Sequence, residues 1–188
     1  MPSSYLTYFR PSCVGFAAFL ALLFTTHVTG SETTPPSENT LKAALVYKIM
    51  AYVTWPESVF QHSPDDAFTL CEYGDHPLSG ELYSLTKRTA AGRPIELIHL
   101  SEKESFDSTC HLLFVDSKSD VGVIIEQTGQ HPVLTISDGK AFAQSGGMIE
   151  IRKNRNRFGF LINRTAAVDA GLLIAAPLLE LSTVVRSK

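Results

Sequence analysis

The chain has 188 residues, enough for one well-packed domain and too few for two large ones. Its 16 Lys and Arg against 19 Asp and Glu give a formal charge of -3, without the strongly basic footprint that nucleic-acid recognition leaves. With 44% hydrophobic and only 19% charged residues, disorder over most of the length is excluded.

The first thirty residues differ from the rest. Arg10 is the only charged side chain before Glu32, and it precedes an apolar run from Cys13 to Phe24. Those 12 residues cannot cross a hydrocarbon core that needs about 20. Small residues follow around Val28-Thr29-Gly30, and no Leu-x-x-Cys arrangement marks a lipoprotein. Basic, apolar and small segments in that order predict a secretory signal peptide over residues 1–30, with a retained N-terminal anchor as the alternative. Removing 30 of the 188 residues leaves 158, a charge of -4 and two cysteines, Cys71 and Cys110. An even pair in an oxidising compartment reads as a disulfide, and two buried reduced thiols are the other reading.

Residues 31–40 form a polar linker, and Asn39 or Thr40 is placed to cap a helix over Leu41 to Val53. Leu41, Ala44, Leu45, Ile49 and Tyr52 recur at helical spacing and are expected to form its buried face. Trp55-Pro56 ends that helix. Phe68 to Tyr73 reads as a strand, Gly74-Asp75 as a turn, and 77–87 as a helix carrying Leu78, Leu82 and Leu85. A strand centred on Ile95 to Ile98, a fully apolar strand Leu112 to Val115, a helix Ser119 to Thr128 and a strand His131 to Ser137 follow. The rhythm then becomes two-fold. Met148 to Arg152 and Arg157 to Ile162 alternate about a polar turn at 154–156, the pattern of a hairpin. Asn163 caps an Ala/Leu-rich helix expected to reach Ala175. Pro177 breaks it, and Leu178 to Val185 adds a final turn or two. The expected architecture is one α/β domain over residues 41–185, a mostly parallel sheet flanked by helices with a C-terminal antiparallel hairpin and terminal helix.

The catalytic inventory is thin. The chain has no Gly-x-Ser-x-Gly elbow, no phosphate loop ending in Gly-Lys-Ser/Thr, no Gly-x-Gly-x-x-Gly and no His-Glu-x-x-His. Gly74 with the start of the 77–87 helix offers only a weak phosphate site. His76, His99, His111 and His131 lack compact ligand spacing, and His99 with Glu102 and Glu104 reads first as a solvated loop. No cofactor or metal is expected. Charge distribution is more informative. Residues 57–138 hold 14 acidic and 5 basic side chains, whereas 152–188 hold 7 basic and 2 acidic. Arg152, Lys153, Arg155 and Arg157 crowd the hairpin tip, either as an ordinary solvated turn or as a contact for an acidic protein surface or lipid head groups. The apolar stretch Ala166 to Val185, or the first helix, is the expected face of a homodimer.

Several blocks carry a family likeness. They are Leu41-Lys-Ala-Ala-Leu-Val-Tyr-Lys-Ile, Tyr52-Val-Thr-Trp-Pro, Phe68-Thr-Leu-Cys-Glu-Tyr-Gly-Asp, Gly92-Arg-Pro-Ile and Cys110-His-Leu-Leu-Phe-Val. Pro132-Val-Leu-Thr-Ile-Ser-Asp, Phe142-Ala-Gln-Ser-Gly-Gly-Met-Ile and Phe158-Gly-Phe-Leu-Ile-Asn complete the series. In this order and spacing the chain resembles the YfiR/HmsC-like family of secreted bacterial proteins. The resemblance implies a non-catalytic periplasmic regulator. Such a protein binds the periplasmic region of an inner-membrane diguanylate cyclase, lowers cyclic di-GMP synthesis and so restrains exopolysaccharide production and biofilm formation. It also implies sequestration by an outer-membrane lipoprotein in some systems, and a redox-sensitive structural role for Cys71 and Cys110. A periplasmic solute-binding module, with a crevice near Gly74 and Asp116, is the competing class.

Overall fold

Strand β2 (Phe68–Tyr73) has all six residues buried, so both of its faces must be covered. In the computed structural model it lies inside an eight-stranded sheet, paired in parallel with β4 (Arg93–Leu100) on one side and β5 (Leu112–Val115) on the other. The structure describes residues 35–60, 66–102, 109–129 and 131–186; the expected signal peptide lies outside them. Beyond β5 come β6 (Leu134–Ser137), β7 (Ile149–Asn154), β8 (Arg157–Asn163) and the edge strand β10 (Ser182–Val185). The short β3 (Thr89–Ala90) closes the opposite edge. Five of the seven neighbouring pairs are parallel; β3 with β4 and β7 with β8 are antiparallel. The α/β sheet and C-terminal hairpin expected from the sequence are therefore present.

Alternation along β2 sends Phe68, Leu70 and Glu72 to one face and Thr69, Cys71 and Tyr73 to the other. The first face carries the larger core, which includes Phe68, Leu70, Phe114, Ile136 and Ile149 beneath α1 (Glu38–Met50) and α2 (Ser79–Tyr83). The second face carries Cys71, Tyr73, Leu113 and Val115 beneath Ile124 of α3 (Val121–Thr128), together with Phe142. Burial of this apolar area is the main favourable term, at roughly 25 cal/mol per Å².

The expected 77–87 helix divides into α2 and a 3-10 turn at Ser84–Lys87, and β6 starts at Leu134 rather than His131; larger differences lie toward the two ends of the domain. Helix α1 starts three residues early, because Ser37 is the N-cap: its hydroxyl accepts the Thr40 N–H at 3.1 Å, and Glu38 meets the positive end of the helix dipole. Its buried residues are Ala43, Val46, Ile49 and Met50, leaving Leu41, Ala44 and Tyr52 exposed. Apolar residues occur all round this helix, so spacing alone does not select the inward side. Helix α4 (Arg164–Asp169) is capped by Asn163 as expected but stops early. Leu173 and Ile174 form β9, which pairs antiparallel with β1 (Val53–Thr54) in a separate two-stranded sheet. Pro177 opens α5 (Ala176–Glu180) rather than ending a helix, since a missing N–H costs nothing in the first turn. The last segment is a strand: β10 adds in parallel to β8, where β-branched Thr183, Val184 and Val185 favour the extended form.

A 3-10 turn at Glu57–Phe60 brings two aromatics against the start of β5. Trp55 is buried, donates Nε1–H to the His111 carbonyl at 3.0 Å and sits edge-on to Phe68. The His111 ring stacks between Phe60 and Phe68, and its Nδ1 accepts the Thr69 N–H at 2.9 Å. Burial, reinforced by nearby Arg93, holds the His111 pKa below its ordinary value, so this histidine stays a neutral packing element.

Cys71 and Cys110 form a disulfide across 39 positions, with Cα atoms 5.8 Å apart. The bond ties β2 to the residue that leads into β5, and its cysteines are 0% and 4% exposed. A reductant therefore reaches it only when the β2–β5 pair opens. Millimolar dithiothreitol should leave the native bond intact for hours and reduce it promptly in denaturant, as read by mass after alkylation. The Cys71→Ser/Cys110→Ser protein should unfold with a stability loss of up to about 4 kcal/mol. Rapid alkylation of both thiols in the native protein would contradict this.

Candidate functional site

Two surfaces concentrate polar chemistry, and both lie at the end of the sheet where the parallel strands finish. The first is the β7–β8 hairpin. Its ladder runs from Ile149 opposite Ile162 to Asn154 opposite Arg157, leaving Arg155 and Asn156 as a two-residue loop. Arg155 has φ of 53°, a left-handed conformation usually given to Gly, Asn or Asp in such loops.

The hairpin separates the four basic residues identified in the sequence. Arg152 lies on the same side of β7 as Glu150, and its Nε donates to Glu150 Oε1 at 2.6 Å. Glu150 is 1% exposed, and its other oxygen accepts the Ala143 N–H at 3.3 Å. Lys153 points to the opposite face, where its Nζ meets Glu38 of α1 at 2.5 Å. Glu38 also holds Lys42 at 3.0 Å, and Lys42 reaches Asp138 at 2.7 Å. Lys153 first and then Lys42 keep the Glu38 carboxyl below its ordinary pKa. Burial opposes the charge on Lys42, but Asp138 and Glu38 together outweigh it and hold the Lys42 pKa above the ordinary lysine value. This chain of ion pairs crosses a cleft of about 610 Å³ between α1 and β7. Arg155 and Arg157 are exposed and have no acidic partner among the described residues. Two of the four cations thus serve the fold, and two face solvent.

The second surface is a crevice of about 460 Å³ at the carboxyl ends of β2, β4 and β5, lined by Gly74, Asp75, His99, Glu102, Asp116 and Lys118 among others. Here the chain order reverses. Helix α2 follows β2 onto one face, α3 follows β5 onto the other, and the gap between these two adjacent strands is the topological switch point of the sheet. Gly74, at φ of 82°, lets the backbone pass close to Ser119 and Asp116; a Cβ there would stand 3.0 Å from Ser119 Oγ. The weak phosphate site considered at Gly74 is not supported. Helix α2 has only five residues, and carboxylates line the crevice.

Of the four histidines considered together, His76 and His99 converge. His99 Nδ1 lies 3.0 Å from Glu72 Oε1, and His76 Nε2 lies 3.7 Å from Glu72 Oε2. Burial lowers the His76 pKa below its ordinary value, against the opposing pull of Glu72, Asp116 and Asp138. His111 belongs to the aromatic stack, and His131 is exposed. Glu104 lies outside the described residues. Among the described residues no group of three His, Cys, Asp or Glu side chains is placed to hold a metal ion. Sequence reasoning missed the Glu72 pairings and the Glu150–Arg152 pair. The available signal was a carboxylate placed among apolar neighbours, Glu72 after Leu70-Cys71 and Glu150 between Ile149 and Ile151.

The division of the hairpin cations has a measurable consequence. Arg152→Ala removes the side-chain donor to a buried carboxylate and should destabilise the protein by about 1–3 kcal/mol. Arg155→Ala should change stability by no more than about 0.5 kcal/mol, as for an unconstrained surface site. Urea unfolding of the two variants checks this. Equal stabilities for both would show that the Glu150–Arg152 pair contributes nothing.

Comparison with known proteins is consistent with this architecture. The chain finds no match among curated proteins. A family model described as YfiR/HmsC-like matches residues 39–183, from the first turn of α1 into β10. That span takes in both surfaces, and the chain belongs to the YfiR/HmsC-like family.

Proposed function

We propose that this protein is a periplasmic negative regulator that binds the periplasmic region of an inner-membrane diguanylate cyclase and lowers cyclic di-GMP synthesis. The observation that carries the reading is the family match over residues 39–183. The signal-peptide pattern at Arg10 to Gly30 supports export, and among the described residues no helix is long and apolar enough to cross a membrane. The protein acts by contact rather than by catalysis. Binding favours the inactive conformation of the cyclase, which requires different affinity for its two states. An outer-membrane lipoprotein that sequesters the regulator would relieve inhibition.

Arg155 and Arg157 are the proposed steering contacts, because among the described residues no acidic side chain pairs with them, whereas Arg152 and Lys153 are held by Glu150 and Glu38. Rim charges chiefly accelerate association, and apolar anchors dominate the energy. Leu173 and Leu181, 63% and 74% exposed, are candidates for an apolar contact, either with the cyclase or between two copies of this chain. A homodimer through the Ala166 to Val185 region is part of the proposal. Sedimentation of the purified protein at micromolar concentration should show a dimer, and a monomer alone would rule it out.

The functional test compares a deletion strain with strains expressing wild-type or Arg155→Glu/Arg157→Glu protein at equal periplasmic abundance. Cyclic di-GMP should rise on deletion, fall with wild type and remain partly raised with the charge reversal. The recovered wild-type chain should begin near Ser31. No rise on deletion while the cyclase is expressed would reject the assignment; full repression by the reversed variant would reject only the role of the hairpin.

A further inference from the structure

We propose that His76 is an acid-sensitive latch: neutral, its ring holds the start of α2 through the Leu78 N–H, and protonated, it lets go and turns toward Glu72. The ring lies between β2 and α2, with its side chain 3% exposed and edge-on to Phe114 of β5 at 4.9 Å. Nδ1 accepts the Leu78 N–H at 3.2 Å, which places the proton of the neutral ring on Nε2. Helix α2 has no side-chain cap at Leu78, so this bond and the one from Ser79 Oγ to the His76 carbonyl, at 3.1 Å, fix its first residues locally.

The gap to Glu72 is the second half of the device. Glu72 Oε2, on a side chain 6% exposed, lies 3.7 Å from His76 Nε2, and neither atom has a hydrogen-bond partner among the described residues. That separation is too long for a hydrogen bond. A buried donor and a buried acceptor thus face each other unpaired while the ring serves Leu78. Protonation reverses the preference. Both ring nitrogens become donors, so Nδ1 can no longer accept from Leu78, and the imidazolium gains a charge-assisted bond by closing on Glu72.

The surroundings set where this happens. Burial is the largest influence and keeps the ring neutral, its pKa below the ordinary histidine value, against the pull of Glu72 on β2, Asp116 after β5 and Asp138 after β6. His99 on β4 adds to the effect of burial, and Asp138 is shared with Lys42 of α1 at 2.7 Å. Because the folded-state pKa is depressed, the contribution of the neutral ring is fully present above the ordinary histidine value and is lost as pH falls through the folded one. The start of α2 in turn braces α1: the Pro77 carbonyl accepts from Asn39 Nδ2 at 3.1 Å, and Glu81 accepts the Thr40 hydroxyl at 3.0 Å. The same turn of α1 carries Glu38, the partner of Lys153 on the hairpin.

This inference does not depend on the cyclase reading, since it is measured on the purified protein alone. Hydrogen–deuterium exchange is followed at about pH 7.5 and about pH 5.0, on either side of the ordinary histidine pKa, and expressed as protection factors. The amides of residues 78–82 should lose about threefold to tenfold in protection at the lower pH, as for one lost hydrogen bond, while β2 and β5 keep theirs. Ring NMR of the wild type should show His76 gaining its proton over the same pH range. His76→Asn puts an amide oxygen in place of Nδ1, able to accept a backbone N–H two residues on, and should protect residues 78–82 equally at both pH values. His99→Gln, at a half-exposed position where folding is not at stake, should leave the release in place. Unchanged protection of residues 78–82 in the wild type would overturn the proposal. So would a fall in His76→Asn as large as in wild type, its abolition by His99→Gln, or a His76 ring that stays neutral while the segment opens. Loss of equal size across β2 and β5, or loss confined to residues 55–60 beside the other buried histidine, His111, would overturn it too.

Discussion

Everything in this fold hangs on the burial of β2 between β4 and β5. A strand covered on both faces has every side chain committed, and its backbone hydrogen bonds are met by two parallel neighbours. Parallel pairing forces crossover connections, and these place α2 over one face and α3 over the other. The disulfide then fixes the β2–β5 junction from the second face, while Trp55, Phe60 and the neutral His111 ring wedge the start of β5 from the edge. The carboxyl ends of the same two strands are consequently held rigidly, and the crevice with its carboxylates stands on them.

The cysteine pair illustrates how structure narrows a chemical expectation. Family likeness implied a redox-sensitive role, and oxidation in an exported protein implied a bond. The bond is present, but buried within a core that also contains Tyr73, Leu113, Val115 and Phe142. Access requires opening of the central sheet, so redox chemistry there is coupled to unfolding rather than to small changes at the surface.

Much of the central sheet was legible because its strands have strong local signatures. Leu112 to Val115 is continuously apolar, and the sequences of β7 and β8 place Ile149, Ile151, Phe158, Phe160 and Ile162 at two-residue spacing about a polar turn, although Glu150 is buried between its isoleucine neighbours. The inward face of α1 was not legible, because its apolar residues surround the helix and only the tertiary arrangement selects Ala43, Val46 and Ile49. The Ala and Leu content favours helix to Ala175 and a further turn or two over Leu178 to Val185, a weak preference that holds in α5 but is overridden where the free edges of β1 and β8 recruit β9 and β10. The candidate sites show the same division. The basic cluster was visible as four cations in six positions, but its separation into Arg152 and Lys153 on one hand and Arg155 and Arg157 on the other depends on side-chain alternation and on Glu38, over a hundred residues away. The pairing of Glu72 with His99 is a product of register between β2 and β4, which no local pattern encodes; His76 lies four residues beyond Glu72 in the chain.

The central functional claim is that this domain regulates by direct contact with a membrane cyclase, using surface not committed to its own fold. Hydrogen–deuterium exchange of the purified protein, with and without the isolated periplasmic region of the cyclase, tests it most directly. The account predicts a complex in which amides around Arg155 to Phe158 gain protection while the β2–β5 core, already slow to exchange, is unaltered. Absence of any complex at concentrations well above those in the periplasm would contradict it.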